Sequence, residues 1–102
     1  MTKQQAGAVA PTYQLQLFVA GSNLRSRRAI ETLQHICEHE LSGEANLEII
    51  DIYQQPELAD RYQVVAAPTL VRMLPLPVRH LIGDLAKIDR VLQGLQVNGL
   101  RP

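Results

Sequence analysis

Four groups of residues in this chain have types and spacings that can carry chemistry. The first is Cys37, the single cysteine. Thiol–disulfide exchange needs a low-pKa thiolate at a helix N-terminus and a second cysteine to resolve the mixed disulfide. The loop where such a thiolate would stand reads Gly21-Ser22-Asn23-Leu24-Arg25-Ser26 and holds none. Cys37 instead falls in mid-helix on an apolar stripe, so it reads as a core thiol and a redox centre is close to excluded. One cysteine makes no internal disulfide, which fits a reducing, cytoplasmic setting. The second group is His35 and His39, four apart on one helix with Glu38 beside them. That spacing can place two imidazoles on one metal, but no third fixed ligand accompanies them. A solvated helix face is the default, and neither a metal nor another cofactor is expected. Arg25, Arg27 and Arg28 form the third group. They can meet a carboxylate or a phosphate, with a solvated helix end as the equally weighted alternative. His80, the fourth, falls in a short strand, where a surface or rim role outweighs catalysis. The sequence has no glycine-rich phosphate cradle, paired catalytic carboxylates or Ser-His-Asp pattern. These residues describe a binding module rather than an enzyme.

The elements that must position these groups follow from periodicity. Tyr13 to Val19 is strand one: Tyr13, Leu15, Leu17 and Val19 alternate on one face, and Phe18 shares the other with Gln14 and Gln16. The Gln face must therefore be covered near Phe18. A helix starts near Leu24 to Ser26, with Ser22, Asn23 and Ser26 as rival caps. Its stripe is Ile30, Leu33, Cys37 and Leu41, supported by Ala29 and Ile36, and Gly43 supplies the stop. Leu47 to Ile52 is strand two; its apolar residues point to both faces, which predicts an inner parallel strand. Pro56 opens a short helix through Tyr62. Thr69 to Leu74 and Val78 to Ile82 pair as antiparallel strands around Pro75 and Pro77, which cannot donate to a ladder. The Ala67-Pro68 bond is a candidate cis bond. Gly83 permits a tight exit, Asp84 can cap the last helix, and Leu85, Ile88, Val91, Leu92 and Leu95 keep helical spacing. The order βαβαββα is an α/β, thioredoxin-like arrangement.

Composition sets the outer limits. A chain of 102 residues suits one domain, and 46% apolar content suffices for a core. We read residues 1–12 as a mobile tail, residues 13–102 as the domain, and the stretch from Val97 to Pro102 as a frayed end. Zero formal net charge offers no broad field for nucleic acid or an anionic membrane. No apolar run is long enough for a bilayer span, and no apolar segment suggests a signal peptide.

Several stretches together resemble the KaiB family of circadian clock proteins. They are Leu17-Phe18-Val19-Ala20-Gly21, Ser26-Arg27-Arg28-Ala29-Ile30, Ile50-Asp51-Ile52, Pro56-Glu57-Leu58-Ala59 and Ala67-Pro68-Thr69-Leu70. Leu74-Pro75-Leu76-Pro77-Val78-Arg79, Leu81-Ile82-Gly83-Asp84-Leu85 and Arg90-Val91-Leu92-Gln93-Gly94-Leu95 complete the match. The amino-terminal sensor domain of the clock histidine kinase SasA is a relative that fits Pro75 to Leu85 less well.

The resemblance implies a non-enzymatic regulator that binds the hexameric ATPase and autokinase KaiC, helps sequester KaiA and favours KaiC dephosphorylation. It implies two folds: a resting βαββααβ form that assembles into tetramers, and a monomeric thioredoxin-like form that binds KaiC. Arg28 and Arg79 match the family's partner-binding positions. Pro68, Pro75, Pro77, Gly83, Asp84 and Gly94 are the fold-switch candidates; the three prolines offer cis/trans choices. Gly94 disfavours the last helix by roughly 1 kcal/mol relative to Ala. Gly94→Ala is accordingly expected to raise the thioredoxin-like population by about fivefold. The chain also departs from the family. Leu76 interrupts a proline run, Asp60-Arg61-Tyr62-Gln63 replaces an acidic stretch, and Glu31, Glu48 and Gln54 stand at commonly basic positions. Such reversals can change which partner is accepted, so a divergent paralogue serving a different KaiC-type ring is expected. The alternative is a thioredoxin-like interaction module outside the clock, in stress or sensor-kinase signalling.

Overall fold

A computed structural model describes residues 12–41 and 44–96. The expected tail up to residue 11, the Gly43 stop and the end from Val97 lie outside the described residues. Strand β1 (Tyr13–Val19) leads into helix α1 (Leu24–His35), which continues as a π-helical turn (Ile36–Glu40). Strand β2 (Ala45–Asp51), helix α2 (Pro56–Arg61), strands β3 (Thr69–Leu74) and β4 (Arg79–Ile82) and helix α3 (Ile88–Leu95) complete the chain order. It is the expected βαβαββα.

The strands lie in the order β2-β1-β3-β4. β1 runs parallel to β2 and antiparallel to β3, which is antiparallel to β4. β2 is therefore parallel but an edge, not the inner strand its composition suggested. Its apolar residues serve different neighbours: Leu47 packs toward the α1 side, Ile50 is buried on the opposite side, and Ile49 stays 40% exposed at the edge. Apolar content on both faces reflects two covering layers and says nothing about a neighbour in the sheet plane.

Each face has its own core. Leu15, Leu17, Val19 and Leu70 meet Ala29, Leu33 and Ile36 of α1 and its extension, and Val91, Leu92 and Leu95 of α3. On the other face Phe18, Ile50 and Val71 pack with Leu58, Tyr62 and Val64, which supplies the expected cover for Phe18. The α1 stripe is centred on Ala29, Leu33 and Ile36, all buried, while Ile30 and Cys37 are only partly so. Asn23 wins the capping competition: its Oδ1 accepts the Ser26 N–H at 2.8 Å.

Two features of the last segment correct the sequence reading. Asp84 does not cap α3. Its Oδ1 accepts the Ala86 N–H at 3.1 Å, closing a tight turn two residues on. Leu85 enters the core from that turn, and the helix begins only after Lys87, which has no side-chain cap. Gly94 is more than a weak helix former. A Cβ there would collide with Leu81 Cδ2 and stand 2.9 Å from Leu81 Cγ. The glycine thus lets α3 approach β4, and the fivefold gain expected of Gly94→Ala is offset by this contact. The Ala67–Pro68 bond is cis as expected, and the bonds before Pro75 and Pro77 are cis as well.

Candidate functional site

The surface that gathers most of the singled-out residues is built by three elements. The first turns of α1 present Arg25 and Arg28. The loop entering β3 presents Pro68, and the turn after β4 presents Gly83 to Ala86. Together they line a groove of about 230 Å³. Gly83 holds φ +119°, a conformation that side-chain-bearing residues rarely adopt, and this bends the chain from β4 toward α1. A second groove, of about 290 Å³, continues from the first through Asp84 and Leu85 and is lined by Arg79, Leu81, Arg90 and Gly94. The fold thereby brings Arg28, Pro68, Gly83 and Asp84 into one groove, and Arg79 and Gly94 into its neighbour. Pro75 and Pro77 stand apart, exposed in the β3–β4 turn.

This surface is basic although the chain carries equal numbers of acidic and basic residues. Among the described residues the only ion pair is His39 with Glu38, at 3.9 Å. Arg25, Arg28, Arg79 and Arg90 are therefore without an acidic partner there, and Asp84 is engaged by a backbone N–H. Paired forks of this kind recognise carboxylates and phosphates through two parallel hydrogen bonds. Glu31, Glu48 and Gln54 are exposed, and Glu48 Oε1 accepts from Gln16 Nε2 at 3.1 Å.

The other candidates are separate from this surface. The His35 and His39 rings lie 4.6 Å apart, one at the end of α1 and the other on its extension, and no group of three possible metal ligands occurs among the described residues. Cys37 is half-buried; burial, and secondarily the Glu38 carboxylate, push its thiol above the ordinary range. His80 is exposed, its Nε2 2.7 Å from the Tyr62 carbonyl.

Two residues matter more than their sequence setting indicated. Asp51 Oδ1 accepts from the Gly21 N–H at 3.1 Å and the Tyr53 N–H at 2.9 Å, tying the loops after β1 and β2 together. Arg72, 3% exposed, donates to the Leu95 carbonyl at 2.9 Å and the Pro77 carbonyl at 2.8 Å. It anchors the C-terminal end of α3 to the prolyl turn. The signal in the sequence was a single charge inside an apolar strand.

Comparison with known proteins places these features. The KaiB domain family matches residues 16–97. The chain is 46% identical over 90 residues to the circadian clock oscillator protein KaiB of Acaryochloris marina, covering 88% of this chain and 86% of that one. It is also 46% identical over 86 residues to KaiB of Synechococcus elongatus, covering 84% of each. Among solved structures, the N-terminal domain of Synechococcus elongatus SasA is similar with a TM-score of 0.67 and 27% identity over 94% of each chain. The Drosophila melanogaster thioredoxin Deadhead has a TM-score of 0.68 at 20% identity, covering 84% of this chain and 80% of its own. That likeness concerns the thioredoxin-like fold alone.

Proposed function

Because the chain belongs to the KaiB family, we propose that it is a non-enzymatic circadian clock or clock-like regulator that binds a KaiC-type ATPase ring. The observation that carries this reading is the family match across residues 16–97. In this proposal the thioredoxin-like form is the partner-binding state. A resting βαββααβ tetramer exchanges with it, binding favours dephosphorylation of the ring, and a KaiA-like protein joins the bound complex. Pro68, Pro75, Pro77, Gly83, Asp84 and Gly94 lie in the part of the chain that rearranges. The exposed acidic and neutral residues Glu31, Glu48 and Gln54 select a ring different from that of the common KaiB proteins. The protein acts in the cytoplasm; no described helix is long and apolar enough to cross a membrane.

Arg28 tests this reading. It is exposed on α1 and lines the groove with Pro68 and Asp84. Arg28→Glu should weaken ring binding about tenfold or more, in a salt-dependent way, and slow the ring's dephosphorylation while leaving the fold intact. Unchanged affinity would make Arg28 a solvated helix residue. The likeness to the SasA N-terminal domain supports a second reading, a module that recruits a sensor kinase. Capture of a histidine kinase in place of a KaiC-type ring would favour it.

A further inference from the structure

Arg72 and Arg79 face each other directly across β3 and β4. Like charges opposed in this way repel. Two carbonyls satisfy the Arg72 fork ends, at the C-terminal end of α3 and in the prolyl turn. The Nε atoms of both arginines are nevertheless buried without an acceptor. Among the described residues no carboxylate lies within ion-pair reach of either. Burial, and then the Arg79 charge, disfavour the charged form of Arg72. A fold that places two guanidinium groups side by side with donors unmet gains from negative charge beside them.

The open side of this pair is the groove lined by Arg79 and Arg90. Arg90 is exposed on α3 and brings a second accessible fork to the same space. The lining sets one carboxylate, Asp84, against the two guanidinium groups, and among the described residues Asp84 forms no ion pair with either. Its Oδ1 accepts the Ala86 N–H, and His80 is directed to the Tyr62 carbonyl. We propose that the groove between β4 and α3 is an oxyanion-binding site, in which Arg79 and Arg90 grip a carboxylate or phosphate and the buried Arg72 adds to the field. This deepens the partner-surface reading by giving Arg79 a ligand class. The site is tested without any ring, so its failure and the failure of ring binding are distinguishable.

The experiment monitors the arginine Nε–H signals by NMR during titration with inorganic phosphate. A parallel titration uses acetate, and chloride keeps ionic strength constant. Saturable shifts of Arg79 and Arg90 with either anion support the site. Saturation by acetate as well as phosphate identifies acidic side chains as competent occupants, whereas saturation by phosphate alone identifies free phosphate or a phosphate group. Arg79→Gln and Arg90→Gln should each weaken binding about tenfold. Arg27→Gln, on α1 outside the groove lining, should leave it unchanged. Because Arg90 is exposed, its variant reports on the site even if Arg79→Gln perturbs the strand. Shifts that stay linear in both anions, or saturable shifts that neither variant weakens, would overturn the proposal.

Discussion

Replacing Gly94 with alanine sets two calculable effects against each other. Alanine gains about 1 kcal/mol of helix propensity in α3. Its Cβ, however, runs into Leu81. Leu81 is half-buried on the edge strand β4 and lines an open groove with Gly94, so its side chain has room to turn aside. Holding it off its preferred rotamer costs about 0.5–1.5 kcal/mol. The net effect on the thioredoxin-like form should therefore lie within about 0.5 kcal/mol of zero. In a Leu81→Ala background nothing obstructs the new methyl group, and Gly94→Ala should stabilise by about 1 kcal/mol. The double-mutant cycle should give a coupling energy of about 0.5–1.5 kcal/mol. Urea unfolding followed by circular dichroism, at concentrations low enough for the monomeric thioredoxin-like form to prevail, measures the four stabilities, and amide NMR of residues 88–95 reports whether α3 stays docked. An equal gain from Gly94→Ala in both backgrounds would refute the reasoning, because the contact with Leu81 would then have no energetic consequence.

Two further outcomes rest on particular contacts. Asn23→Ala removes the acceptor for the Ser26 N–H and should cost about 1 kcal/mol in thermal unfolding; an unchanged melting temperature would mean water replaces the cap at no cost. Cys37 should show no insulin-reducing activity and should alkylate slowly at neutral pH. Because burial and Glu38 raise its pKa, less of the reactive thiolate is present at every pH below that raised value. Alkylation that rises with pH as early as for a free thiol would contradict this.

Much of the fold was legible because its signals are local. The alternation of Tyr13, Leu15, Leu17 and Val19 fixes which face of β1 meets α1, and the spacing of Val91, Leu92 and Leu95 fixes the buried face of α3. Strand neighbourhood was not legible. Ile49 and Ile50 show that two faces are covered somewhere, but only the sheet order makes β2 an edge. The start of α3 was misplaced because Asp84 bonds locally to Ala86, and Leu85 is apolar for a turn rather than for a helix face. The site was visible in part. Arg25 and Arg28 could be named from their charge and clustering, and Arg79 from the family resemblance. Their convergence with Arg90 around Asp84 depends on the docking of α3 beside β4, which no single stretch encodes.

The most direct test of the central claim is sedimentation velocity of the purified chain, alone and mixed with candidate KaiC-type rings in phosphomimetic and unphosphorylated states. Alone, at high micromolar concentration, the chain should sediment mainly as a tetramer. With its cognate ring, one phosphorylation state should carry the chain into the ring boundary while the tetramer is depleted. A chain that is monomeric at all concentrations and sediments independently of every ring would contradict the account.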